Sequence, residues 1–123
     1  MPPHDALPRA ARRVEKPWGY ELIWAETEFY VGKVLHVDAG HALSLQYHEH
    51  KDETIHVLRG TLHFEVGPSA SALERVELHE GESFRITPGT VHRMTAVTDV
   101  DLLEASTAHL DDVVRLEDRY GRA

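Results

Sequence analysis

Cysteine is missing from this 123-residue chain. Its absence excludes disulfide bonds and thiolate metal centres, and it suits a reducing compartment, so a cytoplasmic location is expected. No apolar run approaches the roughly 20 residues that a membrane-spanning helix needs. The N-terminal stretch MPPHDALPRAARRVEK has no apolar core that could act as a signal peptide. Basic residues are in the minority, 13 Lys and Arg against 21 Asp and Glu, for a net charge of -8. That balance argues against a nucleic-acid or anionic-lipid partner, which needs a basic face. Gly-rich phosphate loops and dinucleotide fingerprints are also lacking. The length allows one domain around one core.

What is present is a succession of short alternating runs. Residues 1–16, with Pro2, Pro3 and Pro8, read as an N-terminal arm that precedes the domain at 17–123. Lys16-Pro17-Trp18-Gly19 is a turn. Strand character then runs through Tyr20–Trp24, Phe29–Val37, Ala42–His48, Glu53–Arg59 and Thr61–Val66. It continues through Leu73–Leu78, Ser83–Ile86, Val91–Val97 and Leu102–Ser106. Eight or nine such strands with turns between them predict an all-β sandwich or closed barrel. Period two places Lys33 on one face with Val31, Leu35 and Val37, where it either snorkels at a strand end or points into a site. From Leu110 the period changes: Val113, Leu116 and Tyr120 recur at helical spacing, which predicts a short C-terminal helical turn.

The chemistry concentrates between Gly40 and Gly60, GHALSLQYHEHKDETIHVLRG. Ser44, Gln46 and His48 share a strand face. A turn at His50-Lys51-Asp52 brings Glu53 back at the start of the next strand. His92 follows the stiff Thr87-Pro88-Gly89-Thr90 turn and opens another. An amide oxygen, imidazole nitrogens and a carboxylate suit a single divalent ion, Zn first, with Mn, Co, Ni or Fe as alternatives. His50 is a rival ligand, since His48-x-His50 is itself a pair. His56 has the wrong parity relative to Glu53 to join them. His4, His36, His41, His63, His79 and His109 are isolated and read as surface or structural.

Two separated motifs resemble those of the cupin superfamily. The first is Gln46-x-His48-x4-Glu53-x6-Gly60, with Gln46 in place of the first histidine. The second is Gly81-x5-Thr87-x-Gly89-x2-His92, with Thr87 where the family usually has proline. The resemblance implies a double-stranded β-helix, a jelly-roll barrel. Its register leaves His50 outside the ligand set.

A narrower likeness covers nearly the whole chain. KPWGYE at 16–21, LSLQYH at 43–48, Glu53, PGTVHR at 88–93 and VVRLEDRYGR at 113–122 resemble the type II mannose-6-phosphate isomerase domain found at the C-terminus of bifunctional mannose-1-phosphate guanylyltransferases. In that family glutamine at the first ligand position is usual, and Lys51 here replaces the usual arginine. The implied metal ligands are Gln46, His48, Glu53 and His92. The implied reaction is an aldose–ketose isomerisation of a sugar phosphate. Lys51, Lys33 and His50 are then the candidates for a catalytic role, and Lys33, Ser44 and Arg122 for binding the substrate. A homodimer is expected by the same resemblance. A non-catalytic sugar-binding cupin and a metal-dependent oxygenase on the same fold are the competing readings.

Overall fold

The computed structural model describes residues 8–122, and period-two alternation there is realised as eleven β-strands with no helix among the described residues. Residues 1–7, with His4 and the first half of the expected arm, lie outside the described residues. The strands are β1 (Arg12–Lys16), β2 (Gly19–Glu26), β3 (Tyr30–Val37), β4 (Leu45–Tyr47), β5 (Glu53–Arg59) and β6 (Leu62–Gly67). They continue with β7 (Glu74–Leu78), β8 (Ser83–Ile86), β9 (Val91–Ala96), β10 (Val100–Thr107) and β11 (Val114–Glu117). A six-stranded sheet has the order β1-β2-β3-β10-β5-β8, and a five-stranded sheet the order β11-β4-β9-β6-β7. Every strand pairing is antiparallel. No helix among the described residues is long and apolar enough to cross a membrane.

The inner faces supply the core. Leu35, Ile55, Val57 and Leu102 come from the six-stranded sheet, and Leu62, Phe64, Met94 and Ala96 from the five-stranded one. Fully burying each of the larger side chains contributes about 1.5–3 kcal/mol. The apolar packing stops at one end of the sandwich, where the Phe64 ring centroid lies 6.0 Å from that of His92. Beyond that point the inward positions of β3, β5, β9 and β10 become Lys33, Glu53, His92, and Glu104 with Ser106, all buried. One end of the barrel is thus packed with hydrocarbon and the other with charge.

Two expectations are corrected. The second half of the predicted arm is β1, which pairs with β2 from Arg12↔Ile23 to Lys16↔Gly19. RRVEK carries a single apolar residue, so alternation gave no sign of it. What commits it is the Pro17-Trp18 turn: Trp18 is buried in the core, and a Cβ on Gly19 would sit 1.9 Å from the His36 carbonyl oxygen. The predicted C-terminal helical turn is a strand. β4 has only one paired position with β9, so its other edge needs a partner, and Val114 and Arg115 of β11 pair with Tyr47 and Gln46.

Candidate metal centre

Two turns bring the site together. Gln46 on β4 stands directly across from His92 on β9, so both side chains leave the same face of the five-stranded sheet. His48 follows at the end of β4. The chain then crosses to the six-stranded sheet through residues 49–52. The Asp112 carboxylate holds this turn by accepting the backbone N–H groups of Glu49 (3.0 Å), His50 (2.7 Å) and Lys51 (2.8 Å). Those three donors hold its pKa down at about 2, against a burial that pushes the other way. Glu53 emerges as the first residue of β5. The second motif is clipped to the first by the Gly89 N–H, which donates to the His48 carbonyl at 2.7 Å. Gly89 has φ +82°, a conformation that suits glycine.

The result is a buried trio. His48 Nε2 lies 3.4 Å from Glu53 Oε2, and His92 Nε2 lies 3.9 Å from Glu53 Oε1. One ligand atom from each residue falls within 4.8 Å of the others. Each imidazole donates its Nδ1 proton to a backbone carbonyl, His48 to Asp112 at 2.6 Å and His92 to Thr90 at 2.9 Å. That choice of tautomer points both Nε2 lone pairs at the carboxylate. Burial lowers the pKa of both histidines, helped by the Lys51 charge, so each is neutral at pH 7. Neither Nε2 has a hydrogen-bond partner, nor does Glu53 Oε2. Lone pairs facing a carboxylate in a dry site repel unless a cation lies between them. The donor set therefore fits a divalent ion held by His48, Glu53 and His92.

Around the trio runs a line of alternating charge that crosses the inner face of the six-stranded sheet. Lys51 Nζ lies 2.8 Å from Glu53 Oε2 and 3.2 Å from Glu104 Oε2, in directions that make ion pairs rather than aligned hydrogen bonds. Glu104 stands across the sheet from Lys33, whose Nζ bonds Glu21 at 3.2 Å. Burial works against the Lys51 charge, but Glu104 and Glu53 outweigh it and raise its pKa. Burial likewise opposes the Glu104 charge, which Lys51 and Lys33 sustain, so its pKa is lowered. Glu53 goes the other way: burial and the Glu104 charge raise its pKa more than Lys51 lowers it. A neighbouring metal ion would relieve that residue first.

The candidates named from the sequence divide accordingly. His48, Glu53 and His92 come together, and Gln46 stands across the sheet from His92. Ser44 is buried and its Oγ donates to Gln46 Oε1 at 2.6 Å, so it orients the amide rather than facing a ligand. Lys51 and Lys33 are both buried in ion pairs, and a protonated Lys51 does not serve as a base. His50 is exposed, its ring 6.1 Å from that of His109. His56 faces outward and bonds Ser83, as its parity requires. Arg122 is not at the site: it pairs with Asp118 and lies over Tyr120, which bonds His41. His41 pairs through its carbonyl with Ala96, the end of β9 away from His92. The sequence reading missed Glu104 and Asp112. Glu104 alternates with Leu102 and Ser106, the same signal that exposed Lys33. Asp112 lies 62 positions from the turn it caps, and nothing local marks it.

A second group, His36, Asp38 and Asp99, also brings ligand atoms within 4.8 Å. It lies on the outside of the molecule, and His36 already bonds Asp101 at 2.7 Å through Nδ1.

Residues 4–118 match the family model described as mannose-6-phosphate isomerase C-terminal. The chain belongs to that family. Among curated proteins it is 37% identical over 117 residues to mannose-1-phosphate guanylyltransferase ManC of Salmonella typhimurium, covering 90% of this chain and 23% of the relative. It thus spans about a quarter of the length of the curated relatives it matches. Among solved structures, an RmlC-like cupin from Shewanella frigidimarina superposes with a TM-score of 0.71 at 16% identity, over 82% of this chain and 86% of that one. Oxalate decarboxylase of Lactobacillus farciminis superposes with a TM-score of 0.72 at 16% identity, over 86% of this chain and 33% of that one. These neighbours establish the cupin fold of this mannose-6-phosphate isomerase C-terminal domain.

Proposed function

We propose that this cupin domain binds one divalent metal, Zn first, through Gln46, His48, Glu53 and His92, and isomerises a sugar phosphate between aldose and ketose forms. The substrate pair in view is mannose 6-phosphate and fructose 6-phosphate. The observation that supports this is the pair of buried, tautomer-locked Nε2 atoms facing a carboxylate without hydrogen-bond partners, in a chain of this family. When bound, the ion supplies Lewis-acid polarisation of the substrate carbonyl. Lys51 keeps its proton and fixes the Glu53 and Glu104 carboxylates. Ser44 fixes the Gln46 amide. Of the three residues considered for moving the proton between C1 and C2, His50 is the one not held in a buried ion pair. For a phosphate, Arg12, Lys16 and Lys33 line a cavity of about 200 Å³, together with Glu21 and Asp111. The exposed Trp24, Phe29 and Tyr30 support pairing as a homodimer, and a chain without cysteine suits a cytoplasmic setting.

A second reading, a sugar-binding module without turnover, draws support from Lys51 and Lys33 both being pinned in ion pairs, which leaves neither lysine free to act as a base. Protein loaded in turn with Zn, Mn and Co is incubated with mannose 6-phosphate, and fructose 6-phosphate is followed by proton NMR. Interconversion is expected, together with exchange of solvent deuterium into the sugar. Measurable sugar affinity without turnover on any of these metals would transfer the chain to the binding reading. Oxygen uptake with Fe(II) and an organic acid would transfer it to the oxygenases.

A further inference from the structure

Beside the metal trio lie a buried hydroxyl without a partner, Ser106, and a buried carboxylate held only by ion pairing, Glu104. On β10 the inward positions run Val100, Leu102, Glu104, Ser106. Glu104 is 5% exposed and Ser106 7%. The Ser106 Oγ has no hydrogen-bond partner, and the Glu104 Oε2 has only the Lys51 ammonium at 3.2 Å, an ion pair that leaves the rest of its accepting capacity free. Ser106 stands directly across the sheet from Glu53, and Glu104 stands between Ile55 on one side and Lys33 on the other. Both are therefore one strand from the metal-holding carboxylate and on its face of the sheet. Buried polar atoms left without partners destabilise a fold, so groups placed this way face water or a ligand that completes them.

We infer that Glu104 and Ser106 are the hydroxyl-reading wall of this site, accepting and donating hydrogen bonds to the hydroxyls of a sugar held beside the metal centre. The inference rests on the metal and sugar reading proposed above. Lys51 and Lys33 flank Glu104 and keep it ionised. An ionised carboxylate only accepts, so its partner must bring an O–H or N–H donor. Ser106 Oγ both donates and accepts, and matches a neighbouring hydroxyl. A small dicarboxylate such as oxalate offers no donor there and would meet the like charge of Glu104. The wall thus selects polyhydroxyl ligands against dianionic acids. Both residues sit on a strand paired on both sides, which keeps their positions fixed.

The test measures, by calorimetry on the Zn-loaded full chain, the affinity for mannose 6-phosphate, for its mono-deoxy analogues and for oxalate. Glu104→Gln and Ser106→Ala should each weaken mannose 6-phosphate binding about tenfold, with bound metal per chain unchanged. The Ser106→Ala penalty should vanish for the deoxy analogue that lacks the hydroxyl it reads, and Glu104→Gln should gain oxalate affinity. An equal penalty across all the analogues would mean a structural role and would overturn the inference, as would unchanged sugar affinity in both variants. If Glu104→Gln does not fold, Ser106→Ala decides alone, since it removes one hydroxyl and no charge. A wild type that binds sugar with metal while the variants bind equally well defeats the inference and leaves the proposed function standing. A wild type that holds metal but no sugar defeats both.

Discussion

Replacing Lys51 by methionine removes the one cation that lies between two buried carboxylates while keeping most of the side-chain volume. In the native chain Nζ lies 2.8 Å from Glu53 and 3.2 Å from Glu104, and all three side chains are at most 7% exposed. At an effective dielectric of about 20, each contact is worth roughly 5–6 kcal/mol of gross attraction. Desolvation returns most of that, and removing one partner of a buried pair costs about 3–5 kcal/mol net. For a domain of this size that corresponds to a fall of roughly 10–20 °C in Tm. Chemical denaturation monitored by tryptophan fluorescence would measure it, since Trp18 lies in the core.

The loss should depend on pH with a definite sign. Without Lys51, both carboxylates lose a cation that lowers their pKa values, so both folded values lie higher than in the native chain. The Glu53 contribution is then fully present below about pH 4.5, the ordinary glutamate value, and is lost as pH rises through the raised folded value. The gap between wild type and Lys51→Met should therefore widen from pH 4.5 to pH 7. Added Zn should narrow it at neutral pH by neutralising Glu53. A loss below about 1 kcal/mol, the size of an exposed ion pair, or a gap that narrows toward neutral pH, would refute the account of Lys51 as a buried counter-charge.

His48→Ala and His92→Ala should each weaken Zn binding by more than the roughly 10–100-fold expected for losing an outer partner, whereas His50→Ala should keep about one ion per chain. Elemental analysis of protein purified without a histidine tag separates these outcomes, and metal retained in the first two variants would contradict the ligand set. Asp112→Ala should destabilise the 49–51 turn by about 1–2 kcal/mol after allowance for solvent screening. Because the folded pKa of Asp112 is depressed from 3.8 to about 2, this contribution is present above pH 3.8 and disappears as pH falls toward 2. The difference in unfolding midpoint between the two proteins should close over that window.

Most of the strands and the metal-facing residues were legible because each depends on short-range periodicity. Alternation put Gln46 and His48 on one face, turned His56 away from Glu53 and placed Lys33 among apolar neighbours. Motif spacing then separated His50 from the ligands. β1 and β11 were hidden for opposite reasons. RRVEK has too little apolar alternation to read as a strand, and VVRLEDRY has a spacing that also fits a helix. Each becomes a strand because a neighbouring edge, β2 or β4, offers unpaired backbone groups.

By itself, then, the sequence determined the all-β class, since strand period and turn chemistry are local properties, and the motifs that resemble the cupin family's pointed to Gln46, His48, Glu53 and His92 as candidate ligands. Only the tertiary structure decided the electrical state of the site. Lys51 became a fixed counter-charge instead of a base because Glu104, 53 residues later in the chain, is folded against it. His48 is neutral because burial and the Lys51 charge lower its pKa, while Asp112, 64 residues away, fixes its tautomer by accepting the hydrogen bond from Nδ1–H and holds the turn beside it. Charge and tautomer depend on the sum of burial and contacts from distant strands, and no spacing within one strand encodes that sum.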